Sequence, residues 1–85
     1  MTTVAVTTRY FAAARAALGV TLETFDFPGG TLAQFLPILR ERHGDELTGL
    51  LECCTFFVDG ISVDDRAAPL GPNSTLDVLP PFAGG

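Results

Sequence analysis

The 85-residue sequence has no lysine, no tryptophan, one histidine (His43) and only two cysteines, the neighbours Cys53 and Cys54. Each scarcity removes a class of function. Without lysine the chain has no side-chain amine to accept an isopeptide bond, so it cannot build polymers on itself. It can still donate its own terminus to a lysine elsewhere. A single histidine leaves no convincing Ser-His-Asp or Cys-His arrangement for nucleophilic catalysis. Adjacent cysteines sit too close for an ordinary disulfide, and with His43 far off in sequence they lack the remaining ligands of a zinc site. They read as two free thiols leading into a strand, Cys54 inward and Cys53 outward, which suits a reducing compartment. No metal site is expected; Asp64-Asp65 reads as a solvated hairpin edge. No apolar run approaches the ~20 residues of a membrane span, and no signal-peptide pattern is visible. A cytoplasmic protein without membrane association is expected. The net charge of −5, with five scattered arginines (Arg9, Arg15, Arg40, Arg42, Arg66), gives no basic cluster to neutralise phosphates. That argues against nucleic acid and favours a partner with a basic docking surface.

What is present suffices for one domain. The sequence is 47% hydrophobic with seven phenylalanines, enough for a compact core in so short a chain. Residues 3–10 alternate as a strand, with Val4, Val6, Thr8 and Tyr10 on one face and Ala5, Thr7, Arg9 and then Phe11 on the other. The alanine-rich run Ala12 to Leu18 predicts a short helix capped by Gly19. Val20 to Phe27 predicts a second strand; Val20 and Leu22 are out of phase with Phe25 and Phe27, so a bulge near Glu23-Thr24 is expected. After the Pro28-Gly29-Gly30 turn, Thr31 and Gln34 form a capping box. Leu32, Phe35, Leu36 and Leu39 then make one apolar helical stripe, which Arg40, Arg42 and His43 close before Gly44. Pro37 within that helix predicts a kink. A helical turn over 45–52 and a strand through Cys54, Phe56 and Val58 come next. Asp59-Gly60 marks a tight hairpin to Ile61-Ser62-Val63, and a last strand, Thr75–Leu79, points Leu76 and Val78 inward. The predicted class is α+β: a mixed sheet with one principal helix packed across one face. The domain spans residues 1–79, and residues 80–85 form an extended tail.

That tail is the most informative segment. Pro80-Pro81 favour an extended path away from helix. Phe82-Ala83 then lead to Gly84-Gly85, whose lack of a Cβ lets the end enter a narrow channel. With no catalytic constellation elsewhere, the Gly85 carboxylate is left as the reactive group, with Gly84 giving access to it. Phe11 and Leu79 fall on the face opposite the inward residues.

Several segments together resemble the ubiquitin-like sulfur-carrier family of ThiS and MoaD, and most closely its MoaD branch, the small subunits of molybdopterin synthase. The run Tyr10-Phe11-Ala12-Ala13-Ala14-Arg15, closed by Gly19, is similar to the family's aromatic-Phe-Ala-x-x-Arg segment. Val58-Asp59-Gly60 resembles its Val-Asn-Gly-type hairpin. Leu70 through Val78 resembles its turn into the last strand, and Pro80-Pro81-Phe82-Ala83-Gly84-Gly85 resembles its ending. The resemblance implies a β-grasp fold and a Gly85 carboxylate that is activated as an acyl-adenylate and converted to a thiocarboxylate. It implies two partners. One is a MoeB-like adenylyltransferase of the ubiquitin-activating type, which uses ATP. The other is a MoaE-like large subunit, where the sulfur reaches cyclic pyranopterin monophosphate. The chain itself is expected to hold no cofactor. The same resemblance makes Phe11, Ile61, Leu79, Pro80, Pro81, Phe82 and Ala83 partner-binding residues. Arg15 matches the family's arginine without a mechanism attached. Carriers for thiamine or cysteine synthesis, and a ubiquitin-like modifier of other proteins, stay open as alternatives.

Overall fold

The computed structural model describes residues 3–80. A five-stranded mixed sheet is formed by β1 (Val4–Tyr10), β2 (Leu22–Phe27), β4 (Thr55–Val58), β5 (Ile61–Val63) and β7 (Ser74–Leu79), in the order β2-β1-β7-β4-β5. A separate two-stranded ladder pairs β3 (Gly30–Thr31) with β6 (Pro69–Leu70). Helices α1 (Ala12–Leu18), α2 (Leu32–His43) and α3 (Asp45–Cys53) complete the chain. The first and last strands lie side by side and parallel at the middle of the sheet, Thr8 opposite Leu76 and Tyr10 opposite Val78. The first and last strands are thus joined through an interior ladder. A mixed sheet with helices across one face is what the sequence pattern predicts, and it is the β-grasp arrangement that the resemblance implies.

Alternation decides which face is buried. Val6, Thr8 and Tyr10 of β1, Phe25 and Phe27 of β2, Phe56 of β4 and Leu76 and Val78 of β7 all turn toward the helices and are buried. Helix α2 lays Leu32, Phe35, Leu36 and Leu39 across them. Phe35 meets Phe25 and Phe27 edge-on, with ring centroids 5.5 and 5.1 Å away. Side chains of this size each contribute about 2 kcal/mol on burial, so this aromatic triad is a main anchor of the helix on the sheet. Leu47 and Leu51 of α3 fill the remaining flank.

The start of α2 is closed twice. The Thr31 side chain accepts from the Gln34 amide, and the Gln34 side chain accepts from the Thr31 amide. The Leu32 and Ala33 amides, two more free donors of the first turn, reach the carbonyls of Ala68 and Arg66. Gly30 makes room for this arrangement: a Cβ there would stand 2.1 Å from Gln34 Oε1. The helix runs without interruption through Pro37, which is exposed; the kink expected there does not divide it.

Two readings of the sequence need correction here. No bulge interrupts β2, whose register with β1 is continuous from Val4–Phe27 to Arg9–Leu22. Val20 lies before the strand and packs on the core, whereas Leu22, within the strand, faces outward at 54% exposure in plain alternation with inward Phe25 and Phe27, so no bulge is needed. The helical turn expected over 45–52 is α3, which Asp45 opens. Cys53 ends α3 and is exposed; Cys54 follows as the half-buried link to β4 rather than a strand residue.

Candidate docking face and tail root

The face of the sheet turned away from the helices carries the site. Phe11 follows β1 with extended backbone (φ −123°, ψ 154°) and donates its amide to the Val78 carbonyl at 3.3 Å. The parallel ladder therefore continues one residue past the strand, and alternation sets Phe11 beside Leu79 on the outer face. Both are half-buried. The next residue, Ala12, holds φ at 49°, in the left-handed region that costs a non-glycine residue about 1 kcal/mol or more. The chain thus turns sharply from β1 into α1 just after presenting Phe11.

Ile61 does not join this patch. The two-residue turn at Asp59 (φ 51°) and Gly60 (φ 84°) pairs Val58 with Ile61, and Val58 in turn pairs with the core residue Leu76. Paired residues share a face, so Ile61 lies on the helix side of the sheet, 70% exposed only because β5 is an edge. The third outer-face member is Phe57, which pairs with Asp77 and is half-buried. The sequence carried the signal: placing Phe56 and Val58 inward leaves Phe57 outward. Leu22, opposite Arg9, is a fourth apolar side chain on the same face.

The middle strand of the sheet, β7, ends at this surface. Leu79 pairs with Thr55 on one side, at the end of β7 that lies beside Phe11 on the other. Pro80, assigned to the tail by its sequence, is buried at the end of the body. Pro81, Phe82, Ala83, Gly84 and Gly85 lie outside the described residues.

The Thr55–Leu79 pairing also brings the cysteines near the root of the tail. Burial pushes the Cys54 thiol up to about 11, the neighbouring Cys53 adds to this, and Arg66 opposes it. A thiol so hard to ionise is a poor nucleophile at neutral pH. Among the described residues no group of three or more His, Cys, Asp or Glu side chains is placed to hold a metal ion.

On the helix side, one polar cluster sits at the rim of the core. The Tyr10 hydroxyl donates to Glu23 Oε2 at 2.6 Å, His43 Nε2 bonds the same oxygen, and Arg42 lies 3.6 Å from Oε1. His43, read as a helix-terminal cation, is therefore tied to a carboxylate. Burial alone would raise the Glu23 pKa, but the hydrogen bonds from Tyr10 and His43 and the charges of His43 and Arg42 hold it below its ordinary value. The Tyr10 phenol is pushed up, first by burial and then by its bond to Glu23. The cluster joins β1, β2 and α2. No helix among the described residues is long and apolar enough to cross a membrane.

Comparison with known proteins gives this geometry a context. The model of the ThiS family matches residues 8–85. No curated protein matches the chain. Among solved structures, it is similar to the complex of subunits 1 and 2 of the molybdopterin-converting factor from Helicobacter pylori, with 25% identity and a TM-score of 0.68, covering 95% of this chain and 99% of that one. It is similar to SAMP1 from Haloferax volcanii at 17% identity and a TM-score of 0.83, covering 95% and 99% of the two chains. It is also similar to small archaeal modifier protein 1 from Methanosarcina acetivorans at 18% identity and a TM-score of 0.74, covering all of both. The last two likenesses establish the fold.

Proposed function

The chain belongs to the ThiS family of ubiquitin-like sulfur carriers, and from that membership we propose that it is the sulfur-carrying small subunit of a molybdopterin synthase. The observation that carries the reading is the family match extending through Gly84-Gly85. It is supported by the likeness to a structure in which subunits 1 and 2 of a molybdopterin-converting factor are bound together.

The chemistry follows from what a carboxylate cannot do. Its acyl carbon resists a sulfur nucleophile because oxide is a very poor leaving group. Attack of a Gly85 carboxylate oxygen on the α-phosphate of ATP, in a MoeB-like adenylyltransferase, expels pyrophosphate and forms an acyl-adenylate. Sulfide-level sulfur then adds at the acyl carbon and AMP departs, leaving a thiocarboxylate; where the donor is a persulfide, the acyl disulfide formed first is reduced by a thiol, which leaves as a disulfide with the donor's sulfur. The thiocarboxylate is a soft nucleophile that carries sulfur in usable form. It is delivered to cyclic pyranopterin monophosphate in a MoaE-like large subunit, which supplies the acid–base and substrate-binding groups. Docking through Phe11, Leu79 and Phe57 turns an encounter between two proteins into a near-unimolecular transfer.

The test is reconstitution. The chain, the adenylyltransferase, ATP and a sulfur source should yield a small subunit that lets the large subunit form the dithiolene product. Omitting ATP should abolish the product. A fully charged chain that supports thiazole formation instead would move the protein to the thiamine branch.

A further inference from the structure

The middle row of the outer face contains a charge pair that the sulfur chemistry does not use. Arg9 Nε and Nη2 donate to the two carboxylate oxygens of Asp77 at 2.6 and 2.8 Å. The residues are direct partners in the parallel β1–β7 ladder. Phe57 continues their row on β4 and Leu22 on β2. The Arg9 guanidinium carbon also lies 5.6 Å from the centre of the Phe11 ring. Apolar side chains therefore flank the pair on three sides, Phe57 and Leu22 along the row and Phe11 and Leu79 one step toward the tail, while the row on the fourth side is Thr24, Thr7 and Thr75. The Asp77 side chain is 11% exposed and that of Arg9 47% exposed.

Two consequences follow. Each partner stands two residues before a docking residue on its own strand, Arg9 before Phe11 and Asp77 before Leu79. A two-pronged guanidinium–carboxylate bond fixes both distance and angle between the strands. It thereby fixes Phe11 against the root of the tail. The second consequence concerns charge. A partner covering this face removes water from both groups, which is tolerable for a pair already bonded and expensive for either group alone.

We propose that Arg9 and Asp77 are a positioning and specificity pair of the docking face, neutralised in advance so that the partner surface meeting it is apolar and without charge of its own. The proposal rests on the docking role given to this face above. The partner it fits is the large subunit, which receives the tail beside it; the overall acidity of the chain acts elsewhere, on approach.

The experiment measures affinity of the complete carrier for the molybdopterin synthase large subunit of the same organism, with thermal unfolding of each variant. Arg9→Gln and Asp77→Asn each strand one charge and should weaken binding by about tenfold or more; the double variant Arg9→Gln/Asp77→Asn should recover to within about threefold of the parent. A pair that served folding alone would lower the unfolding midpoint of the single variants and leave the affinity of the folded protein unchanged, and that result overturns the proposal. Should Arg9→Gln fail to fold, Asp77→Asn decides the matter, since it leaves the more exposed partner. A parent chain that does not bind the large subunit sinks the docking role itself, an outcome distinct from equal binding by parent and single variants.

Discussion

The Tyr10 hydroxyl donates a 2.6 Å hydrogen bond to Glu23, tying the last residue of the first strand to the edge strand beside it. Tyr10 is almost fully buried, so its phenol has no water to replace that partner. Tyr10→Phe keeps the ring and removes the bond to a charged acceptor. It should cost about 1–2 kcal/mol, read as a shift of the denaturant midpoint at an unchanged slope.

The same carboxylate sets an acid limit. The folded pKa of Glu23 lies below its ordinary value of 4.5, so its stabilisation is complete above that value and disappears as pH falls through the lower folded one. Unfolding midpoints followed from neutral pH into acid should fall less steeply for Glu23→Gln than for the parent. Parallel curves would remove Glu23 from the account.

At the alkaline end the sign reverses. Cys54 has an ordinary value of 9.0 and is pushed up to about 11 in the fold. Its contribution is intact below pH 9.0 and is lost as pH rises through about 11. Cys54→Ala should abolish that loss while costing about 1 kcal/mol at neutral pH from the shortened side chain. Alkylation near pH 8 should label exposed Cys53 well before Cys54; equal rates would contradict the burial argument.

The docking face separates binding from folding. Leu79→Glu and Phe57→Glu place an unpaired charge against an apolar partner and should cost several kcal/mol of affinity for the large subunit. Ile61→Glu, on the opposite face, should bind almost as the parent does. A loss at Ile61 equal to that at Phe57 would show that the partner grips the edge of the sheet.

How far the sequence revealed this is clear from Phe57 and Ile61. Elements with a strong local signal read correctly: the Thr31–Gln34 capping box, the Gly19 cap and the Asp59-Gly60 turn each depend on a few neighbouring residues. Facing was harder, because it depends on register. Ile61 looked outward until its pairing with Val58 was known, and the turn length that fixes that pairing is ambiguous by one residue from sequence. Leu22 suggested a bulge because Val20 was counted in the strand, although it packs from the preceding loop. Two features had no local signal at all. The Arg9–Asp77 pair and the Tyr10–Glu23–His43 cluster join residues far apart in sequence, and polar side chains on strands and helix ends usually read as solvated. The β3–β6 ladder is two residues deep, below what any periodicity can show.

Ala12 offers a smaller test of the corner after Phe11. Its φ of 49° favours glycine. Ala12→Gly should relieve the left-handed strain of roughly 1–2 kcal/mol and return part of it through a freer unfolded chain, for a net gain of about 0.5 kcal/mol. Affinity for the large subunit should fall if that corner holds Phe11 in place for docking.

The central claim is that Gly85 carries the sulfur, and intact-mass spectrometry tests it most directly. After incubation with the adenylyltransferase, ATP and a sulfur source, the parent chain should gain the mass of sulfur minus oxygen, with fragments placing the change on Gly85. The Cys53→Ser/Cys54→Ala double variant should show the same gain, and a chain lacking Gly85 should show none. A gain of a whole sulfur atom, located on Cys53 or Cys54 as a persulfide and absent from the double variant, would contradict the account.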